Sequence, residues 1–243
     1  MTATLTPPAP DAPEASEAPG PSVRRTWRLR SLRFALTVAA ILAIGNMVIL
    51  AASGLAKVTA PDPAIQVPDD VARLRNFEAV DATLWRGGAP GRDGYRALAA
   101  AGVTTVIDLR AEDDLVIPED LLAELAVTRV AIPIRDGQTP TQSQVQQFLD
   151  IVDSNEGTVY LHCGAGVGRT GTMAAAYRVS RGNGGGFSAM RANLAVGPPS
   201  LEQLAYAIAL DAGEVPQRPN VALVAVSRTF DGPRRIFKAL QSL

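Results

Sequence analysis

The sequence predicts an α/β domain built on a mostly parallel central sheet with helices on both faces, preceded by one transmembrane helix. Three observations predict it. Short runs rich in valine, isoleucine and threonine alternate with stretches of helical texture, the pattern of a parallel sheet covered on both sides. A glycine-rich turn, "HCGAGVGRTG" at 162–171, joins one such run directly to a helix. Ahead of both lie twenty-three uncharged residues, 34–56, enough to cross a hydrocarbon core of about 30 Å.

Taken in chain order, residues 1–33 read as a tail. Six prolines in 1–22 leave too little apolar surface to fold, and Arg24, Arg25, Arg28, Arg30 and Arg33 follow. The span 34–56 is longer than the apolar core of about 7–15 residues usual in a cleaved signal, so it reads as a retained anchor. The alternative is a signal segment cut near Gly54, Leu55 and Ala56, which would release a secreted domain. Arg24 and Arg25 followed by Trp27 match a twin-arginine export signal poorly. Five arginines precede the span and only Lys57 closely follows it, so the positive-inside rule puts the tail in the cytoplasm and everything after Lys57 outside it. Residues 57–80, with Pro61, Pro63 and Pro68, read as a linker, and 81–243 as the folded domain.

Within that domain "GVTTVIDL" (102–109), "VTRVAIPI" (127–134) and "GTVYLHC" (157–163) have the texture of buried strands, and "TLWRGG" (83–88) that of a further, edge strand. The helix at 140–153 is announced by Thr139 as cap, Pro140 in the first turn and Gln142 at capping-box spacing. Ser200 and Gln203 repeat that device before "LAYAIAL". A last amphipathic stretch, 227–243, has Asp231 as a cap and Phe237, Leu240 and Leu243 at helical spacing, suited to core packing rather than to a partner.

Composition narrows the chemistry. Of 243 residues 47% are apolar and 19% charged, with a formal net charge of −1, which fits a globular core and lacks the basic footprint of a nucleic-acid binder. One cysteine rules out an internal disulfide; one cysteine with one histidine rules out a Cys/His zinc cage, and any metal would have only carboxylates to hold it. No cofactor is called for.

The loop admits three readings. Residues 166–171 satisfy G-x-G-x-x-G, but a dinucleotide site wants an acidic residue about 20 positions later, and none lies between Glu156 and Glu202. A nucleotide P-loop needs a glycine where Cys163 stands and a lysine where Arg169 stands. The third reading uses the cysteine as a nucleophile at the mouth of an anion cradle: backbone N–H groups of Gly164, Ala165, Gly166, Val167 and Gly168, together with a helix N-terminus, converge on one concavity. A thiolate is the reactive form of cysteine and such surroundings favour it, while Arg169 offers a planar fork for two phosphoryl oxygens. A papain-like protease is excluded because the chain has no second histidine to activate Cys163.

The pattern H-C-x5-R-T-G at 162–171 resembles the active-site motif of cysteine-dependent protein tyrosine and dual-specificity phosphatases at every defining position. "LWRGGAP", "GVTTVIDLR" and "IPIRDGQTPT" are similar to the compact prokaryotic dual-specificity branch, over about 80–212. The resemblance implies a protein tyrosine phosphatase-like fold and a phosphomonoester hydrolase working through a cysteinyl-phosphate. It implies Cys163 as nucleophile, Arg169 and the loop N–H groups as phosphate ligands, Thr170 as donor to the departing sulfur, and His162 as loop support, with no metal. Asp136, just past the strand 127–134, falls on the same sheet edge as Cys163 and is the candidate general acid; Asp108 is its rival, though Arg110 beside it indicates a structural pair. Arg86, Gly87 and Gly88 are candidates for the pocket rim, and Gln203 for positioning water. The uncharged 164–168 segment favours a phosphorylated protein over inositol phosphates or phospholipids, with a small phosphomonoester or a catalytically silent phosphate-binding module as the alternatives.

Overall fold

In the computed structural model, residues 21–61, 65–112, 119–210, 222 and 224–230 are described. The tail 1–20 and Asp231, Phe237, Leu240 and Leu243 of the expected last helix lie outside them.

The chain divides into two units, Met1–Ile44 and Gly45–Leu243. Helix α1, Pro21–Val58, contains a stretch, Leu29–Val58, with mean hydropathy 2.4, long and apolar enough to cross a membrane. In the first unit its large apolar side chains, such as Phe34, Leu36 and Ile41, are exposed. In the second unit Ile49, Ser53 and Ala56, spaced to share one helix face, are buried.

The phosphate-loop unit follows the order α2 (Asp69–Ala72), β1 (Glu78–Ala79), β2 (Leu84–Gly87), α3 (Arg92–Ala100), β3 (Val103–Arg110), α4 (Glu119–Glu124), β4 (Thr128–Ile134), α5 (Gln142–Ser154), β5 (Thr158–His162), α6 (Gly168–Ser180), α7 (Gly186–Val196) and α8 (Leu201–Ile208). The sheet order is β1-β2-β5-β3-β4; β1 pairs antiparallel with β2, and the other three pairings are parallel. Period-two alternation sorts the strand side chains onto two faces. Leu84, Ile107, Leu109, Val159 and Leu161 join the core that also holds residues of α5 to α8. Trp85, Val106 and Tyr160 join a second core with Val71, Tyr95 and Leu98.

Three expectations need correction. The strand at 84–87 is internal, because the two-residue β1, too short to show in the sequence, covers its outer side through the register Glu78 to Arg86. The stretch 57–80 is a linker only in part: Val71 is fully buried and β1 belongs to the sheet, so the folded layer begins before residue 81. The cap of α5 is Thr141 rather than Thr139. Its hydroxyl accepts from Gln144 N, and Gln144 Oε1 accepts from Thr141 N in a complete capping box. The two candidate boxes have the same spacing, and the Gln144 amide is fixed further by donating to Pro133 O at 2.7 Å. Ser200 and Gln203 form the box expected of them.

Parallel pairing fixes the site's location. β5, β3 and β4 end on one edge of the sheet, so the segments after His162, Arg110 and Ile134 emerge together. The glycine-rich turn at 163–167 is the connection from β5 into α6.

Candidate active site

Cys163 leaves β5 at the sheet edge, buried and unpaired, and α6 begins five residues later. Gly166 takes φ +78°, and a Cβ there would run into the backbone of Gly87 and Gly88, so the loop's tightest turn admits only glycine. The N–H groups of Gly164, Ala165, Gly166 and Val167 make no hydrogen bond among the described residues. Together with the open first turn of α6 they leave a cluster of donors suited to a tetrahedral oxyanion.

Arg169 stands at the second position of α6, 4% exposed, with its guanidinium against three groups. It donates to Glu112 through Nη1 and Nη2 at 2.9 and 2.6 Å, and to Ile134 O at 3.0 Å. Its Nη2 lies 3.3 Å from Asp136 Oδ1. Burial draws the guanidinium pKa down, but the Glu112 hydrogen bonds and the charges of Cys163 and Asp136 more than reverse this, and the net shift is upward. Its partner Glu112 is held below the ordinary carboxylate range by the same hydrogen bonds.

The two candidate acids separate cleanly. Asp136 is 58% exposed and touches the Arg169 guanidinium. Asp108 is almost wholly buried and accepts from Arg110 at 2.8 and 3.0 Å and from Arg129 at 2.6 Å. Burial pushes its carboxyl up, yet the hydrogen bonds from Arg110 and Arg129 and the nearby His162 hold it well below the carboxylate range. Asp108 is thus committed to two arginines, the arrangement of a structural ion pair.

His162 is fully buried, with Nδ1 3.1 Å from Cys163 O and 3.8 Å from Asp108 Oδ1. Burial draws its pKa down to about 4 despite that carboxylate, so near neutrality the ring is uncharged and can donate from Nδ1 to the carbonyl. Thr170 is buried, and its hydroxyl has no hydrogen-bond partner among the described residues.

The four residues expected at the rim or to position water make other contacts. Arg86 is 1% exposed; it lies beneath the loop, donating to Gly166 O at 2.7 Å and Asn193 Oδ1 at 3.1 Å, with Glu78 3.6 Å away. Gly87 and Gly88 are spacers: Gly88 N donates to Arg75 O, Tyr160 donates to Gly88 O, and a Cβ would meet the Tyr160 hydroxyl at Gly87 and Arg75 and Gly164 O at Gly88. Gln203 has both ends of its amide engaged, accepting from Ser200 N and donating to Gln138 O at 3.2 Å, which ties α8 to the turn that carries Asp136.

Sequence reasoning missed Glu112, Asn76 and Asn193. Glu112 is the first of three acidic residues at 112–114, and nothing in the sequence distinguishes it from its neighbours. Asn193 showed a faint signal, a polar residue among the apolar positions of a helix. Asn76 showed none; it sits at φ +53° and donates from Nδ2 to Ala165 O at 2.8 Å. Among the described residues no group of three His, Cys, Asp or Glu side chains is placed to hold a metal ion.

Comparison with known proteins bears directly on this site. Residues 67–206 match the family described as "DSP-PTPase phosphatase fused to NAD+ Kinase". Among curated proteins, the probable chloroplastic NAD kinase 2 of Oryza sativa subsp. japonica is 32% identical over 123 residues, 46% of this chain and 12% of that protein. The human dual specificity protein phosphatase CDC14C is 55% identical over 42 residues, 17% of this chain and 9% of that protein. The chain thus spans about a tenth of the length of these relatives. Among solved structures, P. aeruginosa TpbA in complex with pTyr superposes with TM-score 0.50 at 23% identity, covering 63% of this chain and 93% of that one. The catalytic core of the PP-IP phosphatase SIW14 from S. cerevisiae gives 0.51 at 16%, covering 65% and 94%. At those identities the superpositions establish the shared fold. The family match does more: it extends over more than half of the chain and encloses the whole cradle, so the protein is a member of the DSP-PTPase phosphatase family.

Proposed function

We propose that the protein hydrolyses phosphomonoesters through a cysteinyl-phosphate intermediate, with phosphotyrosine-like groups on proteins as its substrate class. The observation that carries this reading is the position of Arg169. Its guanidinium, on the residue six positions after Cys163, lies 3.3 Å from the exposed carboxylate of Asp136. Cys163, Arg169 and Asp136 share one edge of the sheet, which supports their reading as nucleophile, oxyanion ligand and acid.

In the first step Cys163 Sγ attacks phosphorus, and the bond to the leaving oxygen breaks as Asp136 gives that oxygen its proton. Arg169 and the N–H groups of 164–168 hold the three equatorial oxygens, where charge spreads in the transition state. In the second step Asp136 takes a proton from water, the water oxygen bonds to phosphorus, and the S–P bond breaks. Thr170, whose buried hydroxyl has no partner among the described residues, donates to the departing sulfur, and His162 holds the loop. The absence of any charged side chain at 164–168 favours a singly phosphorylated group over a polyphosphorylated inositol or a phospholipid headgroup.

The test is hydrolysis of para-nitrophenyl phosphate by the full chain in reductant and EDTA. Metal-independent turnover that disappears in Cys163→Ser is the expected result. Vanadate binding without turnover in the wild type would make the site a silent phosphate reader, and the ratio of phosphotyrosine peptide to inositol phosphate turnover tests the substrate class.

For topology, we propose that 34–56 is a single-pass anchor, with 1–33 cytoplasmic and the phosphatase domain on the far side. The support is one helix of sufficient length and apolarity, with five arginines before it and Lys57 at its end. An alkaline phosphatase fusion at the C-terminus should be active; an inactive fusion would reverse the orientation, and a shortened mature chain would indicate signal cleavage.

A further inference from the structure

We infer that Asn76 and the Arg86–Asn193 pair are positioning residues that set the oxyanion cradle from behind, by fixing which way two of its peptide groups face. The inference rests on the phosphatase reading above and deepens it. A trans peptide is planar, and its C=O and the following N–H point in opposite directions. Whatever holds a loop carbonyl on one side therefore aims the next N–H to the other.

In this loop the carbonyls are taken one after another. Cys163 O lies against His162 Nδ1 at 3.1 Å, and Gly164 O accepts from Ala89 N at 3.1 Å. Ala165 O accepts from Asn76 Nδ2 at 2.8 Å, and Gly166 O from Arg86 Nη2 at 2.7 Å. The N–H groups that follow these carbonyls, from Gly164 to Val167, are the ones left without a partner, as a cradle requires. Two of the four anchors are thus long-range side chains. A bare glycine-rich segment has many loop conformers of similar energy, and Gly166, at φ +78°, is in a conformation that glycine adopts without strain.

The side chains are themselves fixed. Arg86 is buried, shares Asn193 Oδ1 at 3.1 Å, and has Glu78 3.6 Å away to balance its charge. A Cβ at Gly171 would collide with the Asn193 amide, so α6 admits Asn193 only because residue 171 is glycine. Arg86 thus joins the second strand of the sheet, the loop and α7 at one guanidinium. Donors already aimed at the transition state need no rearrangement during reaction, and loss of one such donor costs about 10²–10³ in turnover.

The decisive variants are Asn76→Gly, which keeps the left-handed backbone permissible while removing the Nδ2 donor, and Arg86→Met with Arg86→Lys as its conservative counterpart. Three readings are taken on the full chain: vanadate affinity, kcat and KM measured separately on para-nitrophenyl phosphate, and phosphate-protected alkylation of Cys163 by iodoacetate. The expected result is vanadate binding weakened about 10-fold or more and kcat lowered by at least as much in Asn76→Gly and Arg86→Met, with KM changed less, and partial recovery in Arg86→Lys. If Arg86→Met fails to fold, Asn76→Gly decides. Wild-type vanadate affinity and kcat in Asn76→Gly, with any loss confined to Tm, would overturn the inference while leaving the phosphatase reading intact. A wild-type chain that binds no vanadate and whose Cys163 is not protected by phosphate would overturn both.

Discussion

Asp108 and Asp136 stand at corresponding places, one near the end of β3 and the other just past β4, on the same edge of a parallel sheet. Their surroundings differ completely. Asp108 is buried and shared between Arg110 and Arg129, while Asp136 is more than half exposed and shares Arg169 with Glu112. The sheet edge brings carboxylates to the chemistry, but partners and solvent access decide which of them can exchange a proton with a substrate. On the proposed reading Asp108 belongs to the scaffold beside His162 and Asp136 to the reaction.

Removing each carboxylate in turn breaks the comparison most directly. Asp136→Ala should lower kcat by about 10²–10⁴ and leave Tm near wild type, with a smaller loss on esters whose leaving group needs no proton. Asp108→Asn should act the other way round, costing about 3–5 kcal/mol of stability because Arg110 is left buried without its counter-charge, while the folded fraction turns over normally. Chemical denaturation and initial-rate kinetics on the same preparations would separate the two, and a large kcat defect in Asp108→Asn at full folding would restore it as the acid.

Acid titration sharpens the contrast. His162 has a pKa drawn down to about 4 in the folded chain, whereas unfolding returns it to its ordinary value of 6.5. Between those values the unfolded chain binds the extra proton, so stability falls as pH falls, by about 3 kcal/mol over the whole window. Asp108 adds a second loss further down: its depressed folded pKa gives stability present above the ordinary aspartate value and lost as pH falls through the folded one. His162→Asn should flatten the upper part of the curve, and a variant with unchanged slope there would show that the imidazole is not buried neutral. The smallest effect belongs to the support of the acid's turn. Ser200→Ala removes the cap of α8, whose Gln203 donates to Gln138 O, and should cost about 1 kcal/mol with little change in kcat.

Much of this arrangement was legible in the sequence, and the reason is range. Cys163, Arg169 and Thr170 are fixed by spacing within one loop, and the strands around them by runs of valine and isoleucine. Asp136 followed from one further step, that parallel strands end on one side. The supports of the loop did not follow, because Asn76 reaches Ala165 across 89 positions and Arg86 reaches Asn193 across 107. No local pattern encodes such pairs. Arg86 was visible as a residue of interest but assigned to the rim, since a lone arginine beside two glycines gives no sign of burial. The internal place of β2 was hidden for a different reason, the two-residue length of β1.

The single cysteine has a consequence for oxidation. Cys163, the nucleophile proposed for phosphorus, would also be open to peroxide, which converts a cysteine to a sulfenic acid. In many redox-regulated proteins a second thiol nearby captures that species as a disulfide. These 243 residues contain no second cysteine, so none of them can capture a sulfenylated Cys163 as a disulfide, and on the proposed reading its recovery draws on a thiol from beyond these residues.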